Sequence, residues 1–425
     1  MKNKPELLVL LIALLAMAAK LYCASTTYGT VDVILYYNFA KNIAHEGVVN
    51  TYVHDRIFNH PPLLGNYLGF AYELAGGSDT TPASGQRFAF YHRLPGILAD
   101  FSVVLLLLWI RRQTGRPPWW AIAVLAASPV SFMISGYHGN YDPLIPLGLI
   151  LTVVACMQRR ALLAGVLLAV ACQVKIIPLL MSPVLFFFWW QQGRNKAWTF
   201  MGATVFTLLL CWSAPLLAVP AIYTRQVLVY NSIWGWWGIT YLFNISGIDG
   251  LAGTVSVTPL SHAQAIVTQT LKFLVIAGTL MLAWRRRNAT AAELLATMGL
   301  VWGLFFTFAP GFGVQYLAWV SPFLLYYSTR WFLAFTGSAS VALFIFYNTI
   351  SSGIPWQKGY GLERLFGIWG PPLLLPWAVF VALMIVSRRE FGIGAAAIDG
   401  KSTDQAALAS ESTEGYKTIS SEAIS

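Results

Sequence analysis

Charge is what this sequence has least of. Of its 425 residues 10% are Asp, Glu, Lys or Arg while 57% are apolar, a balance that excludes a soluble globular protein. Cysteine is scarce as well: Cys23, Cys156, Cys172 and Cys211 all fall in or at the edge of apolar runs. Their spacing forms no metal motif, so they read as small apolar fillers. No repeat relates the two halves of the chain. The net charge is +10, but the excess of Lys and Arg lies in short connections, which points to membrane topology and away from nucleic acid.

What is abundant is apolar runs of roughly 17–25 residues, the length that crosses a bilayer as helix. About twelve can be placed, near 6–23, 94–110, 118–134, 142–157, 161–174, 177–190, 198–219, 265–284, 292–309, 316–327, 331–350 and 371–387. The fold class is therefore an all-α polytopic membrane protein. The first run, behind Lys2 and Lys4, has the look of a signal peptide, but the spans after it favour a retained helix. Every second connection is basic: MKNK, RRQTGR at 111–116, QRR at 158–160, QGRNK at 192–196, WRRRN at 284–288, STR at 328–330 and SRR at 387–389. The positive-inside rule makes these cytoplasmic and both termini with them.

The opposite face carries a long first loop, 24–93, two further loops at 220–264 and 351–370, and short links at 135–141, 171–176 and 310–315. In the long loop, Val33, Tyr36, Tyr37, Ala40 and Ala44 recur at helical spacing. An amphipathic helix over Asp32–His45, lying in the membrane surface, is expected. The stretch NSIWGWWGITYLF at 231–243 has the composition of an interfacial aromatic belt. Residues 1–390 form one membrane domain, and 391–425, rich in Ser, Thr, Ala and Glu, form a disordered cytoplasmic tail.

Few polar residues remain for chemistry. The carboxylates on or near the outer side are Asp32, Glu46, Asp55, Glu73, Asp79, Asp100, Asp142, Asp249 and Glu363, and a general base there is one of these or a histidine. Asp32 fits an N-cap as well as a base. His60, before two prolines, is a turn residue or a phosphate or sugar contact. Asp100 lies within a span, where a carboxylate faces a cavity or a partner. Asp142, followed by Pro143, fits a cap or, with His138, a polar floor under the long loop. Lys175 snorkels to the headgroups or binds phosphate, as does Arg93 more weakly. Gln315, Tyr316 and Trp319 form an aromatic belt or contact a sugar or prenyl chain.

Taken in order, these motifs resemble a family. Asp32 opens the first outer loop, followed by EG at 46–47, Tyr52 and PPL at 61–63. Then come RLPGILAD at 93–100, SGYHGNYDPL at 135–144, VKIIPLL at 174–180 and QYLAWVSPFLL at 315–325. The set is similar to the GT-C superfamily of membrane glycosyltransferases. Within it the likeness is to the bacterial polyprenol-phosphate-sugar-dependent mannosyl- and hexosyltransferases of glycosyltransferase family 87, over about residues 6–387. The resemblance implies inverting transfer of a hexose, mannose or a related sugar, from a polyprenyl-phosphate donor at the extracytoplasmic face of the bacterial inner membrane. The acceptor would be a glycolipid, glycan or protein. It puts Asp32 in the role of general base and His60, Arg93, His138, Asp142, Lys175, Gln315, Tyr316 and Trp319 around the substrates. TVDV at 30–33 supplies one carboxylate where many relatives carry two, so no divalent metal is carried over. The rival readings are a twelve-helix transporter and a lipid-linked glycan ligase or polymerase.

Overall fold

The computed structural model describes residues 4–77, 82–256, 259–350 and 370–391. These are almost entirely helical; the extended pairings among them are the isolated bridges Ile233–Phe312 and Trp234–Val255. The expected outer loop 351–370, except its last residue, and all of the tail but Phe391 lie outside the described residues. Among the described residues, six helical segments are long and apolar enough to cross a bilayer: Lys4–Thr26, Ser84–Thr114, Trp119–His138, Arg194–Ala218, His262–Arg285 and Thr329–Ile350. Leu144–Met157, Ala161–Ala171, Leu294–Phe308 and Pro371–Val386 are apolar but shorter. Together they make an all-helical protein with the build of a polytopic membrane protein.

The first four helices frame the polar end of the molecule: α1 (Lys4–Thr26), α2 (Val31–His54), α3 (Pro62–Leu74) and α4 (Pro82–Thr114). Helices α1 and α4 run antiparallel. At one end Arg112 meets Glu6 at 2.6 Å; at the other Gln86 donates to the carbonyls of Ala24 and Thr27. The same basic end holds Arg286 against Glu390 at 2.7 Å. The long first loop is thus mostly helix, and α4 begins well before the apolar run at 94. The helix expected over Asp32–His45 continues to His54 across a break at Gly47, whose φ of 81° suits a residue without Cβ. One face of α2 (Val33, Tyr36, Phe39, Ala40 and Ile43) is buried, mainly against α3 and α4.

Two aromatic expectations are corrected. Trp234 and Trp237 are 1% and 0% exposed, so they belong to the core and not to an interfacial belt. Trp237 stacks on Phe312 with ring centroids 4.1 Å apart and donates to the Phe306 carbonyl at 2.6 Å. That bond satisfies the indole N–H that burial would otherwise strand. The cysteines are free thiols, with Cys23, Cys156 and Cys172 buried.

Asp100 has a partner. Its carboxylate takes Lys20 of α1 at 2.7 Å and the hydroxyls of Ser131 and Ser135 at 2.6 Å each. Lys20 is 3% exposed. A buried ion pair adds little over a well-packed apolar one, but losing one partner strands the other charge. Lys20→Ala or Asp100→Ala alone should therefore destabilise by about 3–5 kcal/mol, with Lys20→Met/Asp100→Leu recovering most of it. Unfolding in detergent micelles measures this; single variants as stable as wild type would contradict it.

Candidate active site

The polar residues of three short links converge below the start of α2. Helix Trp119–His138 ends in a π-helical turn, Phe132–His138, closed by Gly139 at φ 78°. A Cβ at Gly139 would collide with Val33, and one at Gly29 (φ 85°) would lie 2.6 Å from the Tyr137 carbonyl. These two glycines let residues 29–33 lie directly on residues 137–139. The Thr30 hydroxyl then donates to the His138 carbonyl at 2.8 Å, and His138 Nε2 reaches Asp32 Oδ2 at 2.9 Å. The other imidazole nitrogen, Nδ1, lies 2.9 Å from the Tyr347 hydroxyl.

Asp32 is accordingly no cap. The N-cap of α2 is Thr30, and the Asp32 carboxylate, in the first turn, is bonded to His138. Its side chain keeps 29% of its surface exposed against 5% for His138, so an incoming hydroxyl can reach it. Burial among protein atoms pushes the carboxyl up, but the electrostatic attraction and hydrogen bond of His138, with Lys175 and His92 behind, outweigh it and hold Asp32 below the usual carboxylate range.

Asp142 is no cap either. The N-cap of helix Leu144–Met157 is Pro143, and Asp142, fully buried, binds Lys175 Nζ through both oxygens at 2.9 and 3.0 Å. Trp319 Nε1 donates to the same carboxylate at 2.6 Å. Lys175 does not snorkel; its ammonium lies 4.3 Å from the Tyr316 ring centroid and 5.5 Å from that of Trp319. Tyr316 and Trp319 stack at 4.2 Å and are buried, which overturns the belt expectation for both. A carboxylate paired this tightly cannot be left unpaired without cost, so Asp142 anchors Lys175.

The remaining expected residues fall around this core. His60 packs on Tyr36 with ring centroids 5.1 Å apart. Burial, with Lys175 nearby, lowers its pKa to about 3, so it is neutral and supplies no charge for phosphate. Arg93, fully buried, spends its guanidinium on the Thr27 hydroxyl and carbonyl and on the Gly136 and Tyr137 carbonyls. It fastens the end of α1 to the π-helical turn. Gln315 is half-buried beside Gly313.

Beside Lys175, Tyr316 and Trp319 opens a cavity of about 530 Å³. Its walls are apolar (Ile177, Leu180, Val275, Ile276 and Leu280 among them), and Asn59, Asn231, Ser232 and Lys272 add polar groups. Lys272 bonds the Asn231 amide oxygen at 2.5 Å and has no carboxylate partner among the described residues. Since Asp142 neutralises Lys175, Lys272 is the uncompensated cation here. Sequence reasoning passes over it, although a lone lysine inside an apolar run, TLKFLV at 270–275, is itself a signal of function. Tyr347 gave no such signal.

A carboxylate held by histidine, within electrostatic reach of a lysine that lines an apolar cavity, suits transfer chemistry on an amphiphile. The family model for glycosyltransferase family 87 matches residues 96–310. The chain belongs to glycosyltransferase family 87. The matched region contains His138, Asp142, Lys175 and Lys272 and stops short of Asp32 and Tyr316 on either side. Among curated proteins none matches. The enzyme is thus a membrane glycosyltransferase, with a sugar donor and an acceptor as substrates.

With Asp32 below the ordinary carboxylate value, its ionised form and the stability that form contributes persist above that value, about 3.9. Both are lost as pH falls through the lower folded-state pKa. Isotope-edited infrared titration should show the Asp32 carboxylate band surviving below pH ~3.9. In His138→Ala the band should be lost at higher pH, because burial remains and its main counterweight is gone. Coincident titrations in the two proteins would remove His138 from this role.

Proposed function

We propose that the enzyme transfers a hexose, mannose or a close relative, from a polyprenyl-phosphate donor to a glycolipid, glycan or protein acceptor, with inversion. The observation that carries this is that Asp32 lies within electrostatic reach of a lysine that lines the apolar cavity. Lys175 lines the cavity, and its charge acts on the Asp32 carboxyl. A prenyl chain fits the apolar walls, and its phosphate fits the lysines.

In the transfer step the Asp32 carboxylate takes the proton of an acceptor hydroxyl as its oxygen bonds to the anomeric carbon. The bond from that carbon to the phosphate oxygen breaks, and its electron pair leaves on the phosphate. Lys272 and Lys175 stabilise the charge that develops there. Attack opposite the leaving group inverts the centre. Asp142 holds Lys175 in place, and Tyr316 and Trp319 offer stacked faces to the sugar or the first prenyl units. Gln315 and neutral His60 complete the surroundings as hydrogen-bonding groups. The ion pair of Arg112 with Glu6 lies at the opposite end of α1 and α4 from Asp32. A basic end there fits our reading of twelve crossings with both termini cytoplasmic and the site on the extracytoplasmic face of a bacterial inner membrane.

Transfer from a radiolabelled polyprenyl-phosphate hexose, with donor binding followed by native mass spectrometry, tests the assignment. Asp32→Asn should bind donor as wild type does yet lose about 10²–10⁴-fold in rate. Lys272→Met should weaken donor binding by about tenfold or more. Undiminished transfer by Asp32→Asn would move the base elsewhere, and failure of wild type with every donor would return transport to consideration.

A further inference from the structure

The hydrogen-bond chain behind Asp32 has a second link, which takes no direct part in moving the acceptor's proton. An ionised carboxylate only accepts hydrogen bonds, so the His138 nitrogen facing it, Nε2, must carry hydrogen. A neutral imidazole then presents a bare lone pair at Nδ1, and the group within reach of that lone pair is the Tyr347 hydroxyl, at 2.9 Å. Tyr347 lies on helix Thr329–Ile350, more than 300 residues from Asp32. It is fully buried, and its ring packs edge-on against Tyr137 and His138, each at 5.6 Å. The Thr30 bond to the His138 carbonyl fixes the backbone beneath the ring. Both ends of the imidazole are thereby specified.

We infer that Tyr347 is a positioning residue for the transfer: by donating to His138 Nδ1 it selects the tautomer whose Nε2–H points at Asp32 and keeps that imidazole neutral. The inference rests on Asp32 acting as the base. A neutral donor orients the carboxylate without giving it a proton. An imidazolium in the same place would draw on the Asp32 charge and make it a weaker base. Without the tyrosine hydroxyl, nothing in this chain of bonds prevents a proton from taking its place on Nδ1. The other titratable groups around Asp32 and His138 are Tyr36 on the same helix, His60, His92, Arg93, Tyr137, Tyr141, Asp142, Lys175, Tyr230 and Tyr316. Tyr347→Phe replaces none of them.

The test compares wild type, Tyr347→Phe and Asp32→Asn in two readouts, pH–rate profiles of transfer and ¹⁵N spectra of labelled histidine. His138→Gln assigns the His138 signals, and melting in detergent checks folding. In wild type the spectra should show His138 with hydrogen on Nε2 alone. In Tyr347→Phe, kcat should fall about tenfold or more with donor KM unchanged. Its rate should gain a limb near the imidazole range, about pH 6.5, where wild type is flat, and its spectra should show a protonated or mixed ring. A Tyr347→Phe enzyme with the wild-type tautomer and profile, or one slowed equally at every pH, overturns the inference and leaves Tyr347 as packing. If Asp32→Asn transfers normally, the base assignment fails instead, and the spectra still decide the tautomer.

Discussion

The hydrogen bond between Asp32 and His138 joins two parts of the chain more than a hundred residues apart. One is the helix that comes after the first membrane-length segment; the other is the π-helical end of Trp119–His138. The surrounding arrangement serves that junction. Gly29 and Gly139 allow the backbones to touch, Thr30 ties them, Arg93 fastens the turn to the end of α1, and Tyr347 closes the far side of the imidazole. Without the junction α2 would still pack on α3 and α4 through its apolar face, but its carboxylate would have no fixed direction.

A second constraint shapes the rest. In a protein this poor in charge, each buried ion must find a partner, because an unpaired one in an apolar interior is expensive. Lys20 finds Asp100, and Lys175 finds Asp142. Lys272 has only an amide oxygen, at the edge of a cavity. The contrast separates structural charge from charge available to a ligand. Pairing consumes Lys175 in part and leaves it as a fixed dipole with Asp142, while Lys272 has no carboxylate partner among the described residues. A reaction whose leaving group becomes more anionic gains from such a preset field, since nothing has to reorganise as the bond breaks.

Much of this was legible in the sequence. Apolar runs located the helices, and the basic stretch at 111–116 marked the end of α4 that meets α1 through Glu6 and Arg112. His138 and Asp142 were recognisable as a polar floor because they stand in or beside a short link between apolar runs, and Lys175 stood out as a cation in another such link. Partners were not legible. Cap and carboxylate-in-a-network look alike in sequence, so Asp32 and Asp142 both fitted N-caps until the fold supplied His138 and Lys175. Tyr316, Trp319, Trp234 and Trp237 fitted an interfacial belt because composition cannot tell a ring at the surface from one whose N–H finds a buried acceptor. Tyr347 comes from the other end of the chain and carries no local signature. Lys272 did carry one, the cost of a lone ammonium among apolar residues.

The proposed transfer requires a donor lipid lying in the cavity with its reactive carbon toward Asp32. A structure of the enzyme with a non-transferable polyprenyl-phosphonate hexose tests this most directly. The phosphonate should lie against Lys272 and Lys175, the chain along Ile177, Leu180, Val275, Ile276 and Leu280, and the acceptor-side face of the anomeric carbon should be open to Asp32. A donor bound elsewhere, or seated in the cavity with its sugar turned away from Asp32, would contradict it.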